Sequence, residues 1–315
     1  MNVPVLIAIF NRPDKFRVLL EALRNVRPAK LFISADGPRH NHPDDMAQCV
    51  QARNVIDEID WPCEVVTRFL DDNMGCDPHV ASAIGWFFES VEYGIIFEDD
   101  AVPHPDFFRF CAELFERYRD DERMMQISSI SPYDHQNHPY SYHFSRYFRC
   151  YGAWGTWKRA WHYHSIPKEH YHTADLPEMI RSYFPKPVDQ RYWMKLFIEF
   201  MSGSRVNWDY WWNFACYAQN GLCIVPESNF VKNIGYDESA THTKRKEPVF
   251  SDLKTESMVF PLAHPIFVFA DERPEISFRK NYFKRMSLKS RFSRHVKTLF
   301  WSLRDYFERF IHNEL

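Results

Sequence analysis

Four strand-length segments separated by helix-length ones occupy the first hundred residues: the continuous apolar run VPVLIAIF from Val3, then KLFISA from Lys30, EVVTRF from Glu64 and YGIIF from Tyr93. A continuous apolar run rich in β-branched residues has no polar side, so as a strand it must be covered on both faces. The segments between the runs carry helical spacing. Pro13 opens one in which Phe16, Leu19, Leu20, Leu23 and Val26 share a face. A second helix is expected over roughly 44–59. A third, HVASAIGWFFESV, follows the turn NMGCDPH, with Asp77 as N-cap and Pro78 as first residue. Strand and helix alternating at this spacing leave few folds: parallel strands joined by right-handed crossovers. The expected class is α/β, with a mostly parallel central sheet and helices on both faces.

In such sheets ligands bind in the crevice beyond the carboxyl ends of the strands. Asn11-Arg12, Asp36-Gly37 and Glu98-Asp99-Asp100 each lie just past a strand end. For the first two pairs, turn and capping chemistry is the plain alternative to a binding role. The acidic triplet is the most demanding of the three. Adjacent carboxylates repel one another unless solvent, donors or a cation neutralise them. Either they hold Mg²⁺ or Mn²⁺ through one or two oxygens, with phosphate and water completing the shell, or they form an acidic loop that favours the positive end of the next helix.

After Pro103 the alternation breaks. A helix is expected over roughly 106–119, then the strand MMQISSI, then the aromatic and polar stretch HPYSYHFSRYFRCYGAWGTWKRAW. A helix near 189–201 precedes NWDYWWNFACYAQNG, also helical; LCIVPESNFVKNIGYDESATHT reads as a strand and a long loop. No internal repeat and no low-complexity stretch interrupts the 315 residues. The seven cysteines lack metal-type pairing and read as reduced core thiols of a cytosolic protein. No apolar run is long enough to cross a bilayer. A formal charge of −3 argues against a general nucleic-acid binder, but it is unevenly spread: from Arg279 onward ten Lys and Arg face three Asp and Glu.

An apolar strand ending in an acidic triplet, followed by Pro and DFF, resembles the GT-A superfamily of glycosyltransferases, at the place where those enzymes carry an Asp-any-Asp motif. The nearest likenesses are bacterial family-2-like enzymes and the N-acetylglucosaminyltransferase I family. The resemblance runs from about Pro4 to Thr243, through PVLIAIFNRP, ISADG, NMGC, IIFEDDAVPHPDFF, YGAWGTWKRAW, NWDYWW and NIGYDESATHT in that order. It implies a metal-dependent, inverting transfer of a sugar from a nucleotide-diphosphate donor, a UDP-sugar, to a glycan acceptor in bacterial surface polysaccharide synthesis. Residues 1–100 are then the nucleotide-sugar half, 101–250 the acceptor and catalytic half, and 251–315 an extension.

The same likeness implies roles. Asp100 is the direct ligand of Mn²⁺ or Mg²⁺, while Glu98 and Asp99 orient the ribose and donor sugar. Asn11, Arg12, Asp36 and Gly37 line the nucleotide pocket, and the turn at Asn73, Met74 and Gly75 opens a helix whose N-terminus favours the donor's charge. Asp209 in NWDYWW is the general base, walled by Trp208, Tyr210, Trp211 and Trp212; the plain alternative is a helix cap with core tryptophans. The N-acetylglucosaminyltransferase family has two acidic residues in this segment, where here Tyr210 follows Asp209. Asp189, Glu199 and Asp237 are the reserves. His242, in a loop that also holds Lys244 and Arg245, is expected near the metal or diphosphate, or else on an ordinary surface loop. Trp154 in GAWGTWKRAW stacks on a sugar or belongs to a core turn.

From Leu288 apolar residues recur at intervals of four and three among Lys289, Arg291, Arg294, Lys297 and Arg304. A basic amphipathic helix suits an anionic membrane surface. It would hold a cytoplasmic enzyme on the inner face, near a lipid-linked acceptor; docking on the body or on a second subunit is the other reading. Two rival functions remain. A sugar-nucleotide pyrophosphorylase needs a Gly-rich loop after the first strand, where this chain reads FNRPDK. A non-catalytic carbohydrate-binding or scaffold protein would have no need of Glu98, Asp99, Asp100 and Asp209.

Overall fold

The structure is a computed structural model that describes residues 2–131, 139–204, 207–235 and 253–272. The chain divides into two units, Met1–Pro132 with Asn137–Ala270, and Tyr133–Gln136 with Asp271–Leu315. Every element named below belongs to the first. The basic stripe beyond Leu288, His242 and Asp237 lie outside the described residues.

The four runs form β1 (Val5–Ile9), β2 (Lys30–Ala35), β3 (Glu64–Phe69) and β4 (Tyr93–Glu98), joined by α1 (Pro13–Arg24), α2 (Asp45–Asn54) and α3 (Cys76–Ser90). β5 (Ala101–Pro103), α4 (Asp106–Arg117), β6 (Met124–Ser128), β7 (Tyr142–Ser145), β8 (Ala153–Trp157) and α5 (Lys158–Trp161) follow. The chain continues through α6 (Leu176–Tyr183), α7 (Pro187–Met201), α8 (Trp208–Ala218), β9 (Leu222–Pro226) and β10 (Val231–Asn233). One sheet has the order β3-β2-β1-β4-β8-β6-β9-β7; β5 and β10 form a second, two-stranded one. β3, β2, β1 and β4 are parallel, β8 is antiparallel to both neighbours, β9 is parallel to β6, and β7 is reversed. Among the described residues six of the eight strands therefore share one direction, which is the expected α/β class with a mostly parallel sheet.

Every residue of β1 is buried. Successive side chains of a strand point to opposite faces, so both faces of the sheet are covered. α1 buries Phe16, Leu19, Leu20 and Leu23 and packs on α2; full burial of each such side chain contributes about 1.5–3 kcal/mol. Val26, expected on the same face, falls beyond the end of α1 and is only half-buried. The helix expected over 44–59 is an α-helix to Asn54 that tightens into a 3-10 turn over Val55–Glu58. α3 starts two residues earlier than expected, at Cys76, because Gly75 takes the N-cap place at φ 82°, a backbone region open to glycine. Asp77 is thereby freed from capping its own helix.

The order of strands fixes where a ligand fits. From β1 the chain steps to β2 and then β3, and from β3 it returns across β1 to β4. With right-handed crossovers, α1 and α2 lie on one face and α3 on the other. The sequence of strands thus reverses between β1 and β4, and a crevice opens at their carboxyl ends. Ala8 of β1 is in register with Glu98 of β4, so Arg12 and the acidic triplet emerge side by side. Among the described residues no helix is long and apolar enough to cross a membrane.

Candidate functional site

A cavity of about 540 Å³ occupies this crevice, within the range of small-molecule sites. β1 contributes Phe10 and Arg12 to it, β2 Asp36 and Arg39, and β4 Glu98, Asp99 and Asp100; the start of α3 adds Asn73, Gly75, Cys76, Asp77 and His79. The opposite wall comes from Gly152, from Asn207, Trp208, Asp209 and Tyr210 at the start of α8, and from Asn233 and Gly235 after β10.

Arg12 links the triplet. Its Nε donates to Asp99 Oδ2 at 3.1 Å and its Nη2 donates to Asp99 Oδ1, a two-point fork. Its Nη1 donates to Asp100 Oδ2 at 3.0 Å. Burial opposes the guanidinium charge, but Asp99 and Asp100 outweigh it and raise the Arg12 pKa. Burial also pushes Asp99 up to about 6, with Arg12 pulling the other way. Burial and then the Asp100 charge push Glu98 up to about 8. Asp100 is gripped from its other side as well. β10 pairs with β5 so that Asn233 Nδ2 donates to Asp100 Oδ1 at 3.2 Å and Ile234 N donates to the Asp100 carbonyl at 2.8 Å. A Cβ at position 235 would overlap the Asp100 carboxylate, so glycine there lets the backbone close over it.

Asp36 lines the cavity, yet its carboxylate is taken up by its own neighbourhood. Oδ1 accepts from Gly37 N at 2.9 Å and Met74 N at 2.8 Å; Oδ2 accepts from Asn73 Nδ2 at 3.0 Å and Gly75 N at 3.1 Å. Four bonds fill the capacity of one carboxylate, so Asp36 shapes the turn that opens α3. Gly37 is a steric requirement of that turn: a Cβ would collide with the backbone of Asp71 and Asp72, and Gly37 does not line the cavity. Asn11 is also absent from the lining. Its Nδ2 donates to Asp45 Oδ1 at 2.9 Å. Asp45 in turn receives Arg39 Nε at 2.6 Å and Nη2 at 3.0 Å, which fixes the Arg39 side chain at the cavity wall and, with the Asn11 bond, lowers the Asp45 pKa to about 2.

Asp209 sits in the first turn of α8 and lines the same cavity as the triplet; its charge is among those raising Glu98. The start of α8 is held from outside, since Asp77 Oδ1 accepts the Trp208 backbone N–H at 3.0 Å. That satisfies one of the donors a helix leaves unpaired at its N-terminus. Trp154, expected on a sugar face, is 2% exposed and does not line the cavity. It stacks on Trp208 at 5.9 Å and packs on Trp161 and Trp212, backing the Trp208 ring from within the core. Of the reserve carboxylates, Asp189 is buried and accepts Tyr147 Oη at 2.8 Å, Glu199 lines a separate groove on α7, and neither lines this cavity.

A cation site of three or more His, Cys, Asp or Glu side chains is absent among the described residues. The carboxylates present fit the sparser mode in which a hard cation takes one protein oxygen and draws the rest from phosphate and water. Asp100 lies on the cavity wall, and each of its carboxylate oxygens accepts a single side-chain hydrogen bond, from Arg12 and from Asn233. The expected second ligand, His242, lies outside the described residues. Sequence reasoning missed Arg39, His79, Asn233 and the bracing role of Asp77. His79 shares a helix face with Cys76 and Val80, a signal present in the spacing; its Nε2 lies 3.0 Å from Ser34 Oγ, and burial lowers its pKa. Arg39 and Asn233 stand in loop and short-strand contexts that carry no pattern.

No protein-family model matches the chain, and no curated protein matches it. Solved structures that match include HddC from Yersinia pseudotuberculosis, at 11% identity and TM-score 0.30, covering 50% of this chain and 77% of that one. Another is apo UDP-glucose pyrophosphorylase, at 9% identity and TM-score 0.36, covering 74% and 93%. A third is mouse xyloside xylosyltransferase 1 in its apo form, at 13% identity and TM-score 0.34, covering 68% and 81%. Likenesses this distant assign no activity.

Proposed function

We propose that this chain is a glycosyltransferase of the GT-A type that moves a sugar, with inversion, from a UDP-sugar to a glycan acceptor in bacterial surface polysaccharide synthesis. The observation that carries the reading is the meeting, in one cavity at the strand-order reversal, of the triplet Glu98-Asp99-Asp100, Arg12 and the opposed carboxylate of Asp209. Asp100 is the residue that would hold Mn²⁺ or Mg²⁺, and such an ion, when bound, neutralises the negative charge that builds on a departing diphosphate.

The chain's own groups do the rest. Arg12 fixes Asp99 by its fork and opposes the burial that pushes the Asp99 pKa up to about 6. The turn built on Asp36 aims the Met74 and Gly75 segment and the N-terminus of α3 at the cavity, a place that favours anionic groups. Asp209 takes the proton of the acceptor hydroxyl as that oxygen attacks the anomeric carbon. The bond from that carbon to the diphosphate oxygen breaks on the opposite side, and UDP leaves with the electron pair. The surrounding Trp208 and Tyr210 limit water around Asp209.

A thermal-shift screen of nucleotide sugars with and without Mn²⁺ tests the reading. A ligand present at a hundredfold its Kd stabilises by about 2.7 kcal/mol, so one UDP-sugar with Mn²⁺ should raise Tm in proportion to occupancy. If no nucleotide sugar raises Tm under either condition, the reading fails. Asp209→Asn should keep that shift while turnover falls by about 10²–10⁴-fold; loss of the shift with it would remove Asp209 from the role of base.

A further inference from the structure

A second cavity of about 370 Å³ adjoins the first. The two have Asp77, Asn207 and Trp208 in common, so residues of the α8 start border both, one residue before Asp209. Their chemistry differs. The first is ringed by carboxylates and guanidinium groups. The second is walled by Trp208, Trp211, Phe200, Ile166 and Pro167, with Lys168 at its edge. Both indoles are braced: Trp208 stacks on Trp154, while Trp211 stacks on Phe214 at 4.8 Å and donates Nε1–H to the His164 carbonyl at 3.0 Å. Rigid aromatic walls suit the apolar faces of a pyranose ring.

Two polar side chains border this cavity, His164, whose ring stacks on Trp161 at 4.0 Å, and Lys168. His164 Nε2 is buried and has no hydrogen-bond partner among the described residues. Native structures leave few such atoms unpaired. The Lys168 side chain is exposed, and among the described residues no carboxylate lies within ion-pair distance of its Nζ. A cationic group beside aromatic walls, in a cavity whose lining excludes the acidic triplet, selects for a ring that carries negative charge.

We propose that the second cavity is the acceptor subsite and that its ligand is a pyranose bearing an anionic substituent, a carboxylate or a phosphate, held at Lys168 with the ring between Trp208 and Trp211. This rests on reading the first cavity as the donor site. It goes further, because it assigns the acceptor's place and charge.

Binding of methyl glucuronide, a glucoside 6-phosphate and neutral methyl glucoside to the full chain, titrated by NMR with UDP and Mn²⁺ present, tests it. UDP binding is measured in the same samples. The wild type should bind at least one anionic sugar about tenfold more tightly than the neutral one, and which of the two it prefers tells carboxylate from phosphate. Lys168→Met, an exposed change, should erase that preference and leave the neutral sugar and UDP within twofold. Trp211→Phe, which keeps an apolar ring, should weaken all three sugars and spare UDP. Equal affinities for neutral and anionic sugars, or a preference that survives Lys168→Met, would overturn the proposal. If UDP binds and no sugar does, the acceptor assignment falls alone; if UDP does not bind, the donor reading falls and takes this one with it.

Discussion

Arg12 is the residue on which the site's charge balance turns. It follows β1, the triplet follows β4, and the two strands are neighbours in register, so one guanidinium meets two carboxylates that are eighty-seven and eighty-eight residues away in sequence. Removing one partner of such a pair leaves buried charge uncompensated. Arg12→Met should therefore cost about 3 kcal/mol in denaturant unfolding, and Arg12→Lys should recover part of it, since a lysine keeps the charge and loses the fork. Equal stability of all three would mean that solvent, not Arg12, supports the triplet. Asp45 makes a pH prediction. Its folded pKa, about 2, lies below the ordinary carboxylate value, so its contribution is present above pH ~4 and is lost as pH falls from ~4 toward 2. The wild type minus Asp45→Asn stability difference should shrink across that window; a flat difference would show that the Arg39 and Asn11 contacts are not formed. At this scale the sequence exposed Arg12, Asn73, Gly75, the triplet and Asp209 as cavity residues. It misplaced Asn11, Gly37 and Trp154, because their partners are Asp45, the Asp71-Asp72 backbone and a tryptophan cluster that only the folded chain brings together.

Among the elements, the start of α8 lines the same cavity as the triplet, and it depends on a residue of α3. Asp77→Ala should cost about 1 kcal/mol, the usual effect of losing a helix cap, and should lower turnover more than UDP affinity because the Trp208–Asp209 turn loosens. Thermal unfolding together with separate kcat and nucleotide affinity measurements checks this; unchanged values would remove the α3–α8 link. β1 and β4 were legible as apolar runs buried on both faces and α1 as a helix with one apolar face. The stretch holding β7 and β8 was opaque for a physical reason: both strands are buried at every position yet include polar His143, Ser145 and Thr156, so neither an apolar run nor an alternation marks them. β5 and β10 have three residues each, too few for any period, yet their pairing is what closes Asn233 and Gly235 over Asp100.

On the scale of the whole molecule, strand order converts distant sequence into one crevice. The alternation of β1 to β4 made a parallel sheet foreseeable, whereas the return across β1, which creates the switch point, is a property of the topology. The excess of ten Lys and Arg over three Asp and Glu from Arg279 onward gives a separate prediction about location. Removing residues 285–315 should abolish sedimentation with anionic vesicles and leave UDP binding intact; unchanged partitioning would retire membrane contact.

The most direct measurement is calorimetric titration of UDP, with Mn²⁺, into the wild type and into Asp100→Asn. Binding by the wild type and weakening of at least about tenfold in the variant are expected. Equal affinities, or a wild type that takes up no nucleoside diphosphate, would contradict the assignment of the crevice between β1 and β4 as the donor site.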